Sequence, residues 1–276
     1  MGNKNRFFLF TVHEPVKGVD VVKITIFYGS LHKTRGNTYV LIDAFAEGAK
    51  AAGAKVDIVL LAEKTIKPCM ACLKCWTKTP GKCVIPDDMA KLLIQFMESD
   101  MVVMATPVYV HNVTGIMKTF LDRMIPIIDP RLVKMKSGYT GHIKKHRKYP
   151  KFGLIATGAF PEKKSGEFVS RYFSHLAAQL YSEVLFEIYR GEAILLKMGE
   201  KSPLGPVVDE YKKNVRKAGR EVVENMKISK ATARKLDQLF ISEDMYIKQA
   251  NHYWENRIAH YEESKQTDRL TSKIPS

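Results

Sequence analysis

Apolar and β-branched residues run almost unbroken from Asp20 to Phe27 (Asp-Val-Val-Lys-Ile-Thr-Ile-Phe), as expected of a strand buried on both faces of a parallel sheet. Similar short runs recur at 55–61, 101–105, 152–156 and 184–189. Between them the apolar spacing changes to that of helices. Val40, Leu41, Ala44, Phe45 and Ala49 line one face of a helix ending near Gly53. Met89, Leu92, Leu93 and Phe96 line another, behind an N-cap supplied by Pro86-Asp87-Asp88. Further helices are predicted over about 115–123 and 166–181. Strands alternating with helices predict an α/β fold, a doubly wound parallel sheet of five strands with right-handed crossovers. From Pro206 onward the pattern is helical, over 207–226, 231–240 and 243–261, with Ser229 and Ser242 placed to cap. This divides the chain into an N-terminal extension (1–20, with a further edge strand), a sheet domain (21–205), and a helical C-terminal extension (206–276). The extension is expected to pack on the sheet domain or on a second subunit.

The loop at 62–86 interrupts this regularity. It holds all four cysteines of the chain: Cys69, Cys72, Cys75 and Cys83. Two-residue gaps let a tight loop turn successive sulfurs toward one side. The bacterial ferredoxin run begins with the same C-x2-C-x2-C and uses four-cysteine ligation for iron–sulfur clusters. Structural zinc more often pairs two separated C-x2-C knuckles. Disulfides are disfavoured, because three cysteines so close in sequence pair awkwardly. Cluster, zinc and free thiols stay open on spacing alone, with redox chemistry foremost.

The 276 residues carry a formal net charge of +15. Such a field attracts anions in general, yet no helix-turn-helix, zinc-finger pattern or aromatic-interleaved basic stretch points to nucleic acid. The densest basic stretch, 134–151, reads as a solvated basic loop, with steering of an anionic nucleotide or partner as the alternative. His142 and His146 lie within it without the Glu of a zinc protease. No apolar run reaches the roughly 20 residues of a membrane span, and residues 7–12 are too short for a signal peptide. The expected location is the cytoplasm.

In a doubly wound sheet, ligands bind beyond the carboxyl ends of the strands. The first such loop carries Gly29, Ser30, His32, Thr34, Gly36, Asn37 and Thr38. Its hydroxyls, amide and free backbone N–H groups suit a phosphate at a helix N-terminus. There is no Walker Lys and no G-x-G-x-x-G after a strand, so neither an NTPase nor a separate dinucleotide-binding domain is expected. The third strand ends in Pro107, Val108 and Tyr109, a rigid turn and an aromatic fit to lie along a flat ring, with His111 and Asn112 beside them. Thr157 and Gly158 offer a third small polar loop. The cysteine loop follows the second strand and is expected on the same edge. Asp87-Asp88 and Asp122-Arg123 read as structural, a helix cap and an ion pair.

Taken together, Gly29-Ser30…Gly36-Asn37-Thr38, Pro68-Cys69…Cys83-Val-Ile-Pro-Asp87-Asp88-Met89 and Ala105-Thr-Pro-Val-Tyr109…Leu121-Asp122-Arg123 resemble the NADPH-dependent FMN reductase group of flavodoxin-like proteins. The four cysteines ahead of Asp-Asp-Met resemble those of the iron–sulfur flavoproteins within it. The likeness covers about 22–190. It implies a sheet of order 2-1-3-4-5 binding FMN. Ser30, Asn37 and Thr38 would hold its phosphate, and Pro107–Tyr109 with Thr157-Gly158 would flank its ring. It also implies a [4Fe–4S] cluster on the four cysteines, NAD(P)H as an electron donor, a quinone or redox protein as acceptor, and a homo-oligomer, dimer or tetramer. No side-chain acid or base is expected to be catalytic. In this chain the first loop is one residue longer than the common form, and His32 stands where an Arg is usual. Two rival readings share the fold: a cluster-free NAD(P)H-dependent FMN or quinone reductase, and a flavodoxin-like electron carrier without its own substrate.

Overall fold

The computed structural model describes residues 21–199 and 201–271, with side chains through residue 262. The edge strand expected before residue 20 lies outside the described residues. In chain order, β1 (Lys23–Tyr28), α1 (Asn37–Ala51), β2 (Lys55–Leu60) and α2 (Met89–Glu98) come first. They are followed by β3 (Met101–Pro107), α3 (Gly115–Asp122), and a short hairpin of β4 (Leu132–Lys134) and β5 (Thr140–His142). Then come β6 (Lys151–Thr157), α4 (Glu167–Gln179), β7 (Val184–Arg190), α5 (Gly205–Asn225), α6 (Lys230–Leu236) and α7 (Glu243–Thr271).

The main sheet has the order β2-β1-β3-β6-β7 and is parallel throughout. With the hairpin strands set aside, this is the flavodoxin-like order 2-1-3-4-5. Alternate residues of the central strands feed two cores. On one face Phe27 stacks on Phe120 of α3 at 4.7 Å, and Phe96 of α2 meets Phe152 of β6 edge-on at 5.9 Å. Val169 and Phe173 of α4 close that core. On the other face Phe45 of α1 stacks on Phe186 of β7 at 4.9 Å. Gly153 makes this possible, because a Cβ there would collide with the Phe186 ring.

Helix α5 lies against α1. The two backbones approach at paired glycines: a Cβ on Gly48 would overlap the Arg216 carbonyl, and one on Gly219 would overlap the Phe45 carbonyl oxygen. Val208, Val215, Ala218 and Val222 are buried on α5, as its amphipathic period requires. The compact unit containing the sheet extends to Gln238, past the boundary at 205/206 that the sequence pattern drew. The helical C-terminal extension expected from the sequence thus begins with α5, which packs on the sheet domain through α1. Ser229 caps α6 by accepting from the Thr232 N–H. Fully buried Arg190 anchors the end of α6, donating to the Leu236 and Gln238 carbonyls at 2.7 and 2.8 Å and to Glu192 at 3.2 Å. Its guanidinium lies 4.1 Å over the Tyr211 ring. A second unit begins at Leu239, and α7 is its principal element. Among the described residues, no helix is long and apolar enough to cross a membrane.

The basic stretch is no simple loop. β4 and β5 pair antiparallel around Gly138, which has φ +84°. Three-residue strands are too short to show an alternating pattern.

Gly219→Val should destabilise the protein by about 1–3 kcal/mol through overpacking against α1, measured by denaturant unfolding. Gly115→Ala, where a Cβ meets nothing within 4 Å, should leave stability unchanged or slightly raised.

Candidate functional site

The carboxyl edge of the sheet brings the first, third and fourth βα loops together. Gly29 donates its N–H to the Ala105 carbonyl at 2.8 Å, and Thr114, the N-cap of α3, donates its hydroxyl to the Gly29 carbonyl at 2.7 Å. The buried Thr38 and Thr157 hydroxyls bond across the two loops at 2.7 Å. Val108 donates to the Thr157 carbonyl at 2.7 Å, and Gly158 to the Arg190 carbonyl at 2.9 Å. These bonds hold Ser30, Thr38, Thr157 and the N-terminus of α1 around one small space. Asn37 and Thr38 are the first residues of α1, so their N–H groups have no intrahelical acceptor.

Tyr28 enters the same space and was hidden by the strand pattern that ends on it. Its hydroxyl is buried and makes no hydrogen bond of normal geometry with any described residue. Burial pushes its pKa up, and the neighbouring Ser30 and Thr38 hydroxyls pull it back in part. Gly36 permits this placement, since a Cβ there would overlap the Tyr28 oxygen. Ser30 is buried and accepts the His32 N–H at 3.2 Å. His32 and Thr34, by contrast, are exposed on the outer turn of the loop.

At the outer rim, Tyr109 and Asn112 exchange backbone hydrogen bonds at 2.9 and 3.0 Å. The two residues between them, Val110 and His111, have φ of +48° and +61°, as a two-residue turn with both central residues left-handed requires. A β-branched residue in this region is strained, and Val110 is 94% exposed at the tip. Asn112 accepts the Val113 N–H through its side-chain oxygen at 2.8 Å. The His111 ring faces that of Phe160 with centroids 6.1 Å apart. Phe160, half exposed, was absent from the sequence reading.

The four cysteines gather elsewhere. Cys69, Cys72, Cys75 and Cys83 line one open pocket, together with Arg123 and Pro126. Arg123 follows the last residue of α3, whereas Thr114, which touches the Gly29 loop, caps its first turn. The pocket therefore borders the last turn of α3, an eight-residue helix roughly 12 Å long whose first turn is bonded to the Gly29 loop.

Arg123 organises this pocket. With Asp87 it forms an ion pair of zero side-chain exposure, Nη1 donating to Oδ2 at 2.6 Å and Nη2 to Oδ1 at 3.1 Å. The same guanidinium donates to the Lys67 carbonyl at 2.6 Å and to the Cys83 sulfur at 3.3 Å. Asp87 in turn accepts the N–H groups of Lys67 and Met89. Asp122, its neighbour in sequence, pairs instead with Lys118 on the surface. Asp88 makes no side-chain bond to its own helix but accepts the Thr65 N–H at 2.8 Å. Trp76 pins the loop from the other side, its indole N–H shared between the Ile125 and Ile128 carbonyls. Within the motif Ala71 and Leu73 adopt φ of +48° and +53°. Burial and the neighbouring sulfurs push the Cys75 thiol up. Among the described residues, no three His, Cys, Asp or Glu side chains close around a single metal ion.

Burial pushes the Asp87 carboxyl up, but bonds from Arg123, Lys67 and Met89 outweigh it and hold its pKa below 3.8. The pair's stabilisation is therefore complete above the usual carboxylate range and is lost as pH falls through the lowered native value. Arg123→Leu should cost about 3–5 kcal/mol at neutral pH by leaving a buried carboxylate unpaired, measured by denaturant unfolding. Asp87→Asn should remove the loss of stability that this carboxyl contributes below pH 3.8.

Residues 22–141 match the model of the NADPH-dependent FMN reductase family. An iron-sulfur flavoprotein of Archaeoglobus fulgidus is 41% identical over 103 residues, covering 37% of this chain and 46% of the relative. One from Methanosarcina thermophila is 34% identical over 104 residues, covering 38% and 53%. The matched stretch thus spans about half the length of these relatives. Among solved structures, an FMN-dependent NADH-azoreductase from Bacillus anthracis in complex with FMN superposes with a TM-score of 0.54 at 15% identity, covering 74% of this chain and 100% of that one. An NAD(P)H:quinone oxidoreductase from Methanothermobacter marburgensis gives 0.52 at 13%, covering 73% and 97%. At such identities the likeness is one of fold. Over residues 22–141 the chain resembles the NADPH-dependent FMN reductase group and, within it, stands close to the iron–sulfur flavoproteins.

Proposed function

We propose that this chain is an FMN-dependent oxidoreductase in which Cys69, Cys72, Cys75 and Cys83 hold a [4Fe–4S] cluster. The observation that carries this reading is the gathering of all four thiols on one pocket, in a chain whose sheet edge offers a hydroxyl-lined cradle at a helix N-terminus. The cradle fits a phosphate. The buried Tyr28 hydroxyl lacks a partner of normal geometry, the Ser30, Thr38 and Thr157 hydroxyls surround it, and the first amides of α1 add N–H donors. Pro107, Val108, Tyr109, Thr157 and Gly158 would flank the flavin ring, with His111, Asn112 and Phe160 at the opening. The donor set of the pocket fits a cluster. Ligands of one zinc ion share a centre about 2.3 Å from each sulfur, whereas each cysteine of a four-iron cluster binds its own iron, which suits sulfurs spread around an open pocket.

FMN supplies a centre that takes electrons in pairs and releases them singly, and a cluster handles them one at a time. The protein's part is orientation. Thr114 and Arg123 set the two ends of α3, so one short helix separates the cradle from the pocket. Arg123 places a fixed positive charge beside Cys83. NAD(P)H is the proposed donor, a quinone or a redox protein the acceptor, and a homo-oligomer the assembly.

A cluster-free NAD(P)H-dependent FMN or quinone reductase is the second reading, favoured by the absence, among the described residues, of a closed ion-binding group. An anaerobic visible spectrum with iron, sulfide and flavin assays separates the two. Flavin with about four irons per chain is expected, and flavin without iron under strict exclusion of oxygen selects the second reading. Cys72→Ala should abolish the iron content and leave flavin bound. Tyr28→Phe should weaken FMN binding by about 2- to 10-fold, the value of one hydrogen bond, read by fluorescence titration of the flavin. An unchanged affinity would remove Tyr28 from the cradle.

A further inference from the structure

The positive charge of this chain is not spread evenly. Residues 64–86, the cysteine loop, hold five Lys and no Asp or Glu. Residues 130–150, around the β4–β5 hairpin, hold seven Lys or Arg and no Asp or Glu. These stretches lie far apart in sequence, yet the fold joins them. The Trp76 ring of the cysteine loop meets His142 of β5 with centroids 5.6 Å apart. Lys145 donates to the carbonyl of Pro126, a residue lining the cysteine pocket, and lies within electrostatic reach of Cys75.

Few of these cations are neutralised. Arg131 pairs with Asp129 and Lys148 with Asp100. Lys74, Lys78, Lys134, Lys136 and Arg147 are exposed and have no ion-pair partner among the described residues. At the mouth of the pocket, Met70, Leu73 and Val84 are exposed beside Cys72. A small apolar centre over a candidate redox pocket, bordered by charge of one sign, has the anatomy of a transient docking site with an apolar core and a polar rim.

From this juxtaposition we propose that the cysteine loop and the β4–β5 hairpin together form the docking surface for an acidic one-electron carrier protein. The inference rests on the reading of the pocket as a redox centre and adds where, and with what charge, the partner binds. Complementary charge accelerates encounter and fixes orientation without demanding high affinity, which suits a partner that must leave after each transfer. One electron crosses and no bond forms or breaks: the carrier is oxidised as the pocket centre is reduced, or the reverse. The hairpin then has a role that the sheet does not require of it, since β4 and β5 pair only with each other.

The test is binding, measured by fluorescence titration of the full chain with an acidic plant-type ferredoxin as probe, at low and at physiological ionic strength. A Lys74→Glu/Lys78→Glu/Lys134→Glu/Lys136→Glu variant is compared throughout. All four side chains are exposed, so unfolding curves are expected to match and to confirm the fold. Affinity should fall about tenfold or more both with added salt and with charge reversal. Basic cytochrome c should not bind the native chain. Equal affinity in the variant, or no binding at low salt, overturns the proposal. So does retention on vesicles of anionic phosphatidylserine that exceeds binding to the acidic protein, which would make the face a membrane surface. Iron assayed on the same samples judges the cluster reading separately: charge-dependent binding to an iron-free chain would uphold the docking surface and sink the cluster.

Discussion

The buried ion pair of Arg123 and Asp87 is the constraint on which the candidate redox pocket depends. The connection from β2 to α2 runs for 28 residues, from Leu61 to Asp88, with a single short turn of helix. A segment of that length has no ladder to hold it and loses much conformational entropy when ordered. One guanidinium supplies the order by binding both flanks of the cysteine motif, the Lys67 carbonyl before it and Cys83 and Asp87 after it. Two charges withdrawn from water gain little net stability against an apolar equivalent. Their value here is geometric, since a planar fork with several donors fixes orientation in a way that an apolar contact does not.

Helix α3 converts that local constraint into a relation between two sites. Thr114 at its start is bonded to the Gly29 loop, and Arg123 at its end to the cysteine loop. Backbone strain is found at the same two places. Four of the non-glycine residues with positive φ fall in the cysteine motif, at Ala71 and Leu73, and at the rim turn, at Val110 and His111. Strain of this kind persists where surrounding contacts over-determine the backbone, and it concentrates at functional sites. The other four described residues of this kind, Lys33, Tyr181, Glu192 and Met226, lie outside these two places, and the opposite face of the sheet is closed by α1 and α5, which meet at Gly48 and Gly219.

Much of this was legible in the sequence because it follows from local chemistry. The five sheet strands appear as apolar runs, since a strand covered on both faces has no polar side, and β-αβ alternation then leaves little freedom in topology. Ser30, Thr38 and Thr157 could be picked out because polar residues directly after buried strands land on the ligand-binding edge. The four cysteines needed no structure to be noticed. Tyr28 and Phe160 escaped because an aromatic residue beside an apolar strand or a Pro reads as packing, and only burial without a partner, or a facing ring, distinguishes it. The β4–β5 hairpin escaped because its strands are shorter than the pattern that would reveal them.

By itself, then, the sequence determined the fold class and singled out the candidate binding loops and the cysteine loop, all properties set by residue type at short spacing. The tertiary structure decided the partners and the distances. Asp87, read as a helix cap, does accept the first N–H of α2 and is also the counter-ion of Arg123, 36 positions away. The helical extension, expected on the sheet domain or on a second subunit, packs its first helix on α1. The cysteine pocket took Arg123, at the end of α3, as one wall, and two basic segments that nothing in the sequence joins came to border it. Long-range pairing of this kind depends on how helices pack across the sheet and where a long connection is pinned, and neither leaves a periodic trace along the chain.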